Sequence, residues 1–184
     1  RLGVEGFSFE KLVKKVLQKE GYQCEIDKIV QGRFITHEID VVAKKGSEVM
    51  MVECKHHDQP WKADHIHTAL YVYARFLDVK SSFTIPMLAT NTKFTPQVIT
   101  YARGVGLRLL GWSYPNVGNL QDLLEKHQLY PVTMLKSLTK SGIALCLAEG
   151  IVTIQDVKAL SLKDFAKVLK TTQEKASRVV NEAG

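Results

Sequence analysis

The chain has 184 residues, 45% of them hydrophobic and 24% charged, with a formal net charge of +6. That is enough chain for one medium domain or two small ones, and the composition is that of a globular rather than a fibrous or disordered protein. There is no apolar run of the ~18 residues that a membrane span needs and no visible secretory leader. Cys24, Cys54 and Cys146 are too scattered for a zinc site or a disulfide framework.

These absences give the expectation of a cytoplasmic protein with no membrane partner. The basic balance favours polyanionic partners without identifying one. The chain opens on Arg1 rather than Met, which reads as an excised fragment with room for a regulatory domain upstream.

Phe9, Leu12, Val13, Val16 and Leu17 recur at helical spacing and predict a helix over 6–20, stopped by Gly21. Glu10 lies at the border of that stripe, as a solvated glutamate or as a carboxylate reaching the neighbouring sheet. Residues 24–30 read as a first strand and 31–33 as a turn. Two apolar runs, 37–43 and 49–55, then flank Lys44-Lys45-Gly46-Ser47-Glu48, the pattern of an antiparallel hairpin.

Alternation along the second run puts Glu53 and Lys55 on one face and Val52 and Cys54 on the other. Asp40 sits in the partner strand, able to face Glu53 across the ladder. Buried charge is costly unless it is paired or metal-bound. Two readings follow: a solvent-facing salt bridge of Glu53 with Lys55 or Lys45, or two carboxylates sharing a hard divalent cation, Mg²⁺ or Mn²⁺. In the second, Lys55 adds positive charge beside the cation. Glu38 has the parity of Asp40 and either approaches the metal or sits near the solvent end of the strand, and His37 is open in the same way.

The stretch from His56 to Lys62 is polar and turn-like, with no spaced partners that would make its histidines a zinc site. His56 is either a phosphate ligand or an exposed loop histidine, and Trp61 a DNA contact or a packing anchor. A helix over 63–77 carries the stripe Ile66, Leu70, Tyr73, Ala74 and Leu77, and 83–90 is a strand. Asn91 and Lys93 follow at its carboxyl end, where open α/β sheets place ligands, and are candidate DNA contacts. Thr95 and Pro96 cap and open a helix to Arg103 that Gly104 and Gly106 close, and 107–112 is the last strand.

The sum is an α/β chain with a mixed sheet flanked by helices, followed by a small all-α domain. The division is 1–114, a linker and connecting helix over 115–129, and 130–184. The last part reads as helices over 132–140, 143–149, 153–159, 161–169 and 172–182, capped in places by Thr153 and Ser161. Lys163, Lys167 and Lys170 there are DNA-phosphate contacts or one solvated lysine face.

Asp40 followed by Glu53-Cys54-Lys55, with Phe9-Glu10 on the preceding helix and Phe94-Thr95, Tyr101-Ala102 and Gly106-Leu107 after it, resembles the Mrr-type restriction endonuclease catalytic domain. That domain belongs to the PD-(D/E)xK nuclease superfamily, and the resemblance covers about residues 4–112. Ile39 stands where the superfamily name has Pro, and Glu53 where many Mrr-type domains have Gln. Residues 151–165 are similar to parts of helix-hairpin-helix modules, although Lys170-Thr171-Thr172-Gln173 replaces the expected glycine hairpin.

The resemblance implies a restriction-endonuclease-like fold and a metal-dependent DNA endonuclease of restriction or repair type. Asp40 and Glu53 would hold Mg²⁺ or Mn²⁺, Lys55 would position the attacking water, and Glu10 would complete the catalytic set. Double-stranded DNA would be the partner, and a homodimer is compatible with it. A Holliday-junction or branched-DNA resolvase, more distantly similar, and a non-catalytic nucleic-acid-binding module remain as alternatives.

Overall fold

The computed structural model describes residues 4–184, with side chains from residue 9 onward. Arg1, on which the fragment reading rests, lies outside the described residues. The first half runs α1 (Val4–Lys19), β1 (Gln23–Gln31), β2 (Thr36–Lys45), β3 (Glu48–Lys55), β4 (Ala63–Asp64) and α2 (Ile66–Val79). Then come β5 (Ile85–Thr90), β6 (Lys93–Phe94), α3 (Pro96–Val105) and β7 (Arg108–Leu110).

Five strands form one sheet in the order β1-β2-β3-β5-β7. The first three pair antiparallel, β2 with β3 as the hairpin pattern predicts, and β5 and β7 add parallel to β3. On one face α1 buries Val13 and Val16 against Val41, Met50 and Val52. On the other, α2 and α3 bury Val72, Phe76 and Val98 against Met51 and Leu88. Each such aliphatic side chain removed from water contributes ~1.5–3 kcal/mol, and the two faces together fix the sheet's register.

Expectations for this half are corrected at β4, α2 and α3. The segment at 63–64 is not the start of a helix: Ala63 and Asp64 pair with Lys93 and Phe94 in a second, two-stranded parallel sheet. The buried stripe of α2 is Ala69, Val72, Arg75, Phe76 and Val79, whereas Leu70 and Leu77 of the expected stripe are exposed. Both stripes are apolar enough to satisfy the helical period, and the sheet takes the one with Phe76 and the two valines. At α3, Thr95 occupies the N-cap but makes no side-chain cap bond, and Gly104 lies within the helix. Gly106 ends it with φ +74 and donates its N–H to the carbonyl of Ala102.

The chain continues through α4 (Leu120–Lys126), held by a capping box between Asn119 and Asp122. Then follow a single 3-10 turn (Val132–Met134), α5 (Lys140–Ala148), α6 (Ile154–Ala159), α7 (Leu162–Val168) and α8 (Gln173–Ala183). The expected helix over 132–140 is absent beyond that turn, because the carboxylate of Glu182 on α8 takes the N–H groups of Lys136 and Ser137 at 2.7 and 2.8 Å.

These helices share their own core around Phe165, Leu147 and Val157. Thr153 and Ser161 cap α6 and α7 as expected. Lys170 adopts φ +50 between α7 and α8, a left-handed residue where glycine is the usual choice. The region is pinned to α1 by Lys15 on Asp156 at 2.7 Å and by Lys11 donating to the carbonyl of Leu147 at 3.1 Å. Among the described residues no helix is long and apolar enough to cross a membrane.

Candidate active site

The β2–β3 ladder runs from Lys45↔Glu48 to Val41↔Val52 and stops there. One more step would set Asp40 against Glu53, but the strands part instead. The N–H of Cys54, left without a β2 carbonyl, donates to Asp40 Oδ2 at 2.7 Å. On its other edge β3 stays paired with β5 as far as Lys55↔Thr90. Glu53 and Lys55 are therefore held on a rigid parallel ladder while their β2 side opens into a fork.

A second irregularity lies across β2. Register places Asp27 of β1 opposite Asp40, yet this pair is skipped in the ladder, and Asp27 has φ +53. Around it the alternation inverts. Ile26 packs on the α1 face and Val30, of the same parity, on the α2 face; Val41 and Ile39 of β2 split in the same way. A left-handed aspartate thus kinks the hairpin at the level of Asp40, the kind of costly local backbone that collects at functional sites. Sequence reasoning passed over Asp27; its one signal is that Asp tolerates the left-handed region better than the β-branched residues around it.

The fork gathers carboxyl groups faster than it gathers cations. Glu10 on α1 is buried, and burial, reinforced by the charges of Asp40, Asp27, Glu38 and Glu53, pushes its pKa up to about 8. Burial and Asp40 push Glu53 up to about 7 against the opposing pull of Arg75 and Lys55. Asp40 is raised by burial, offset in part by the Cys54 N–H and Arg75. Lys55, half-buried, makes no ion pair or hydrogen bond among the described residues.

Arg75 was not anticipated. It lies on the buried stripe of α2, donating to the Glu53 carboxylate and to the carbonyl of Glu38. Its signal in the sequence is an arginine at i+3 from Val72 and i−4 from Val79, inside an apolar face. The alternative pairings of Glu53, with Lys55 or Lys45, do not form: Lys45 donates to the carbonyl of Glu20 instead.

Three buried or half-buried oxygen acids, with Asp40 raising Glu53 and both raising Glu10, suit a hard divalent cation, which would relieve their repulsion. Glu10, Asp40 and Glu53 are the residues available to hold it. They are not drawn around one point in this arrangement, since no group of three or more His, Cys, Asp or Glu among the described residues is placed to hold a metal ion.

The candidate DNA contacts separate into different surroundings. The ring of His56 packs at 5.9 Å on Phe9, with Nδ1 3.5 Å from Asp58. Asn91 braces the segment after Lys55: its Oδ1 accepts from His57 N, and its Nδ2 donates to the His57 carbonyl, both at 2.8 Å. Both groups of the amide are thus engaged in bracing the segment that follows Lys55. His57 Nε2 lies 3.2 Å from buried Asp64. Lys93, Lys163, Lys167 and Lys170 are exposed, with Lys167 3.3 Å from Asp164. His37 is not at a solvent end; it is buried on Asp78 at 2.8 Å. Trp61 is 76% exposed.

The sheet with its fork matches a known family. The family model for restriction endonucleases of the Mrr catalytic type (Mrr_cat) matches residues 2–112. The chain belongs to this restriction endonuclease family. An uncharacterized protein of Archaeoglobus fulgidus is 38% identical to this family member over 170 residues, 92% of this chain and 96% of that protein. The crystal structure of a protein of unknown function superposes with a TM-score of 0.87 at 37% identity, covering 96% of this chain and 95% of the other. More remotely, the MspJI restriction endonuclease in complex with a 27-mer oligonucleotide gives a TM-score of 0.46 at 14% identity, covering 95% of this chain and 35% of that one.

Proposed function

We propose that this member of the restriction endonuclease family is a metal-dependent DNA endonuclease that hydrolyses phosphodiester bonds, with its site in the β2–β3 fork. One observation carries the reading: Asp40 and Glu53 stand where an otherwise apolar ladder opens, with Lys55 two residues on.

Asp40 and Glu53 would hold Mg²⁺ or Mn²⁺, and the Cys54 N–H fixes the direction of the Asp40 carboxylate. A cation bound there supplies positive charge against the phosphate oxygens. Lys55, which makes no ion pair or hydrogen bond among the described residues, is available to orient the attacking water and to oppose charge developing on the phosphate. Glu10, whose pKa burial and the neighbouring acids raise to about 8, is the third carboxyl group beside the cation. His56, Lys93 and the lysines of α7 and the α7–α8 turn are the groups available to meet DNA phosphates. The net charge of +6 draws the polyanion toward an acidic pit that would repel it alone.

The test is nicking and linearisation of supercoiled plasmid with Mg²⁺ or Mn²⁺, comparing the wild type with Lys55→Ala and an EDTA control. Metal-dependent cleavage that the variant loses is the expected result. DNA binding without cleavage under every condition would instead make the chain a binding module.

A further inference from the structure

Arg75 reaches the fork from α2. One Nη donates to Glu53 Oε2, and the other to the main-chain carbonyl of Glu38. The ring of Tyr71 covers the guanidinium at 5.3 Å. Only 9% of the residue is exposed. A buried arginine needs an acceptor set of this kind, and losing either partner would leave a charge stranded.

Its acidic partner here is one of the two carboxylates to which the reading above gives a metal. The guanidinium and a divalent cation therefore compete for the oxygens of Glu53. The same contact explains why the acids are not drawn together: Glu53 is turned toward α2, while Asp40 is turned toward the Cys54 N–H. On its far side Arg75 borders a cavity of about 750 Å³ that Arg33, Phe34, His37, Glu38 and Tyr71 also line. A guanidinium released from Glu53 has open space beside it.

We propose that Arg75 is a resident counter-ion, a positioning residue that holds Glu53 in the metal-free site and that a divalent cation must displace in order to bind. The proposal rests on the metal-nuclease reading. It assigns Arg75 a role opposite to that of a brace: a brace would help the metal, whereas a counter-ion opposes it. The arrangement keeps the acid cluster folded without metal at the expense of affinity for metal.

The test measures Mn²⁺ binding without DNA, following the free-ion electron paramagnetic resonance signal. The samples are the wild type, Asp40→Asn, Arg75→Gln and Arg75→Lys. The wild type should bind Mn²⁺ and Asp40→Asn should lose it. Arg75→Gln should bind about five-fold tighter or more, the lower end of ordinary coupling between sites. Arg75→Lys, which keeps the charge but cannot bridge Glu53 and Glu38 together, should fall between and covers the case in which Arg75→Gln does not fold. Without metal Arg75→Gln should melt below the wild type, and saturating Mn²⁺ should narrow the gap.

Binding by the Arg75 variants equal to or weaker than that of a wild type that does bind Mn²⁺ overturns the counter-ion role alone. No Asp40-dependent binding in the wild type overturns both it and the metal-nuclease reading.

Discussion

The two ends of β3 each carry a glutamate with an arginine beside it, and they behave in opposite ways. At the hairpin end Glu48 pairs with Arg108 at 2.7 Å and accepts from Tyr22 at 2.9 Å, and these contacts hold its carboxyl below the usual range. At the fork Glu53 meets Arg75, yet its pKa rises to about 7. The difference lies in what surrounds each pair. Glu48 and Arg108 are 36% and 42% exposed in their side chains, so water shares the solvation. Glu53 is largely buried beside Asp40, and one arginine cannot offset burial and that like charge together. An ion pair of the first kind contributes little, whereas we propose that one of the second kind holds charge for use.

The comparison breaks most visibly under Asp40→Asn. Metal-dependent plasmid cleavage should fall by ~10²–10³-fold or more, the usual cost of removing one group that stabilises charge in the reaction. The same change on an idle fork would leave DNA binding and melting temperature nearly untouched and show no activity to lose.

Asn91→Ala should cost less, about ten-fold in cleavage rate, because it frees the His57 peptide behind Lys55 without removing a reacting group. Asn91→Asp keeps the acceptor for His57 N and should recover part of the rate. Equal rates for all three proteins would show that the brace is irrelevant.

The next effect is on stability and depends on pH. Glu10 is raised to about 8 from 4.5, so between those values the folded state holds a proton that the unfolded state has released. Stability of the metal-free protein must then fall as pH rises across that window, by up to ~3–5 kcal/mol at about 1.4 kcal/mol per unit. In EDTA, Glu10→Gln should match the wild type near pH 5 and melt higher near pH 9. Parallel melting curves across the window would remove burial as the cause.

The smallest effect belongs to the other end of the strand. Glu48→Gln should cost ~0–1 kcal/mol in urea unfolding, the range of exposed pairs. A larger loss would mean that this pair is more desolvated than its exposure indicates.

Much of the fold was legible because local pattern and tertiary demand agree. The stripe of α1, the hairpin between β2 and β3, and the caps at Thr153 and Ser161 are each settled within a few residues. What escaped depends on partners distant in sequence. β4 and β6 are strands of two residues each, brought together from Ala63 and Lys93, and neither has a period to read. The buried side of α2 was ambiguous because Leu70 and Leu77 are as apolar as Val72 and Phe76; only the sheet decides between them.

In the candidate site, parity placed Glu53 and Lys55 on one face, and the apolar run made their charge conspicuous. The parting of the strands at Asp40, the left-handed Asp27 and the pairing of Arg75 with Glu53 could not be read. Each depends on register between segments rather than on spacing within one. The expected helix over 132–140 failed for the same reason, since Glu182 of α8 takes the N–H groups of Lys136 and Ser137 that would bond within it.

The central claim is that chemistry resides at the open end of β3 and not at its hairpin end. The direct measurement is plasmid cleavage in Mg²⁺ by Glu53→Gln and Glu48→Gln side by side with the wild type. The account predicts no cleavage above background for Glu53→Gln and wild-type rates for Glu48→Gln. Wild-type cleavage by Glu53→Gln, or equal loss in both, would contradict it.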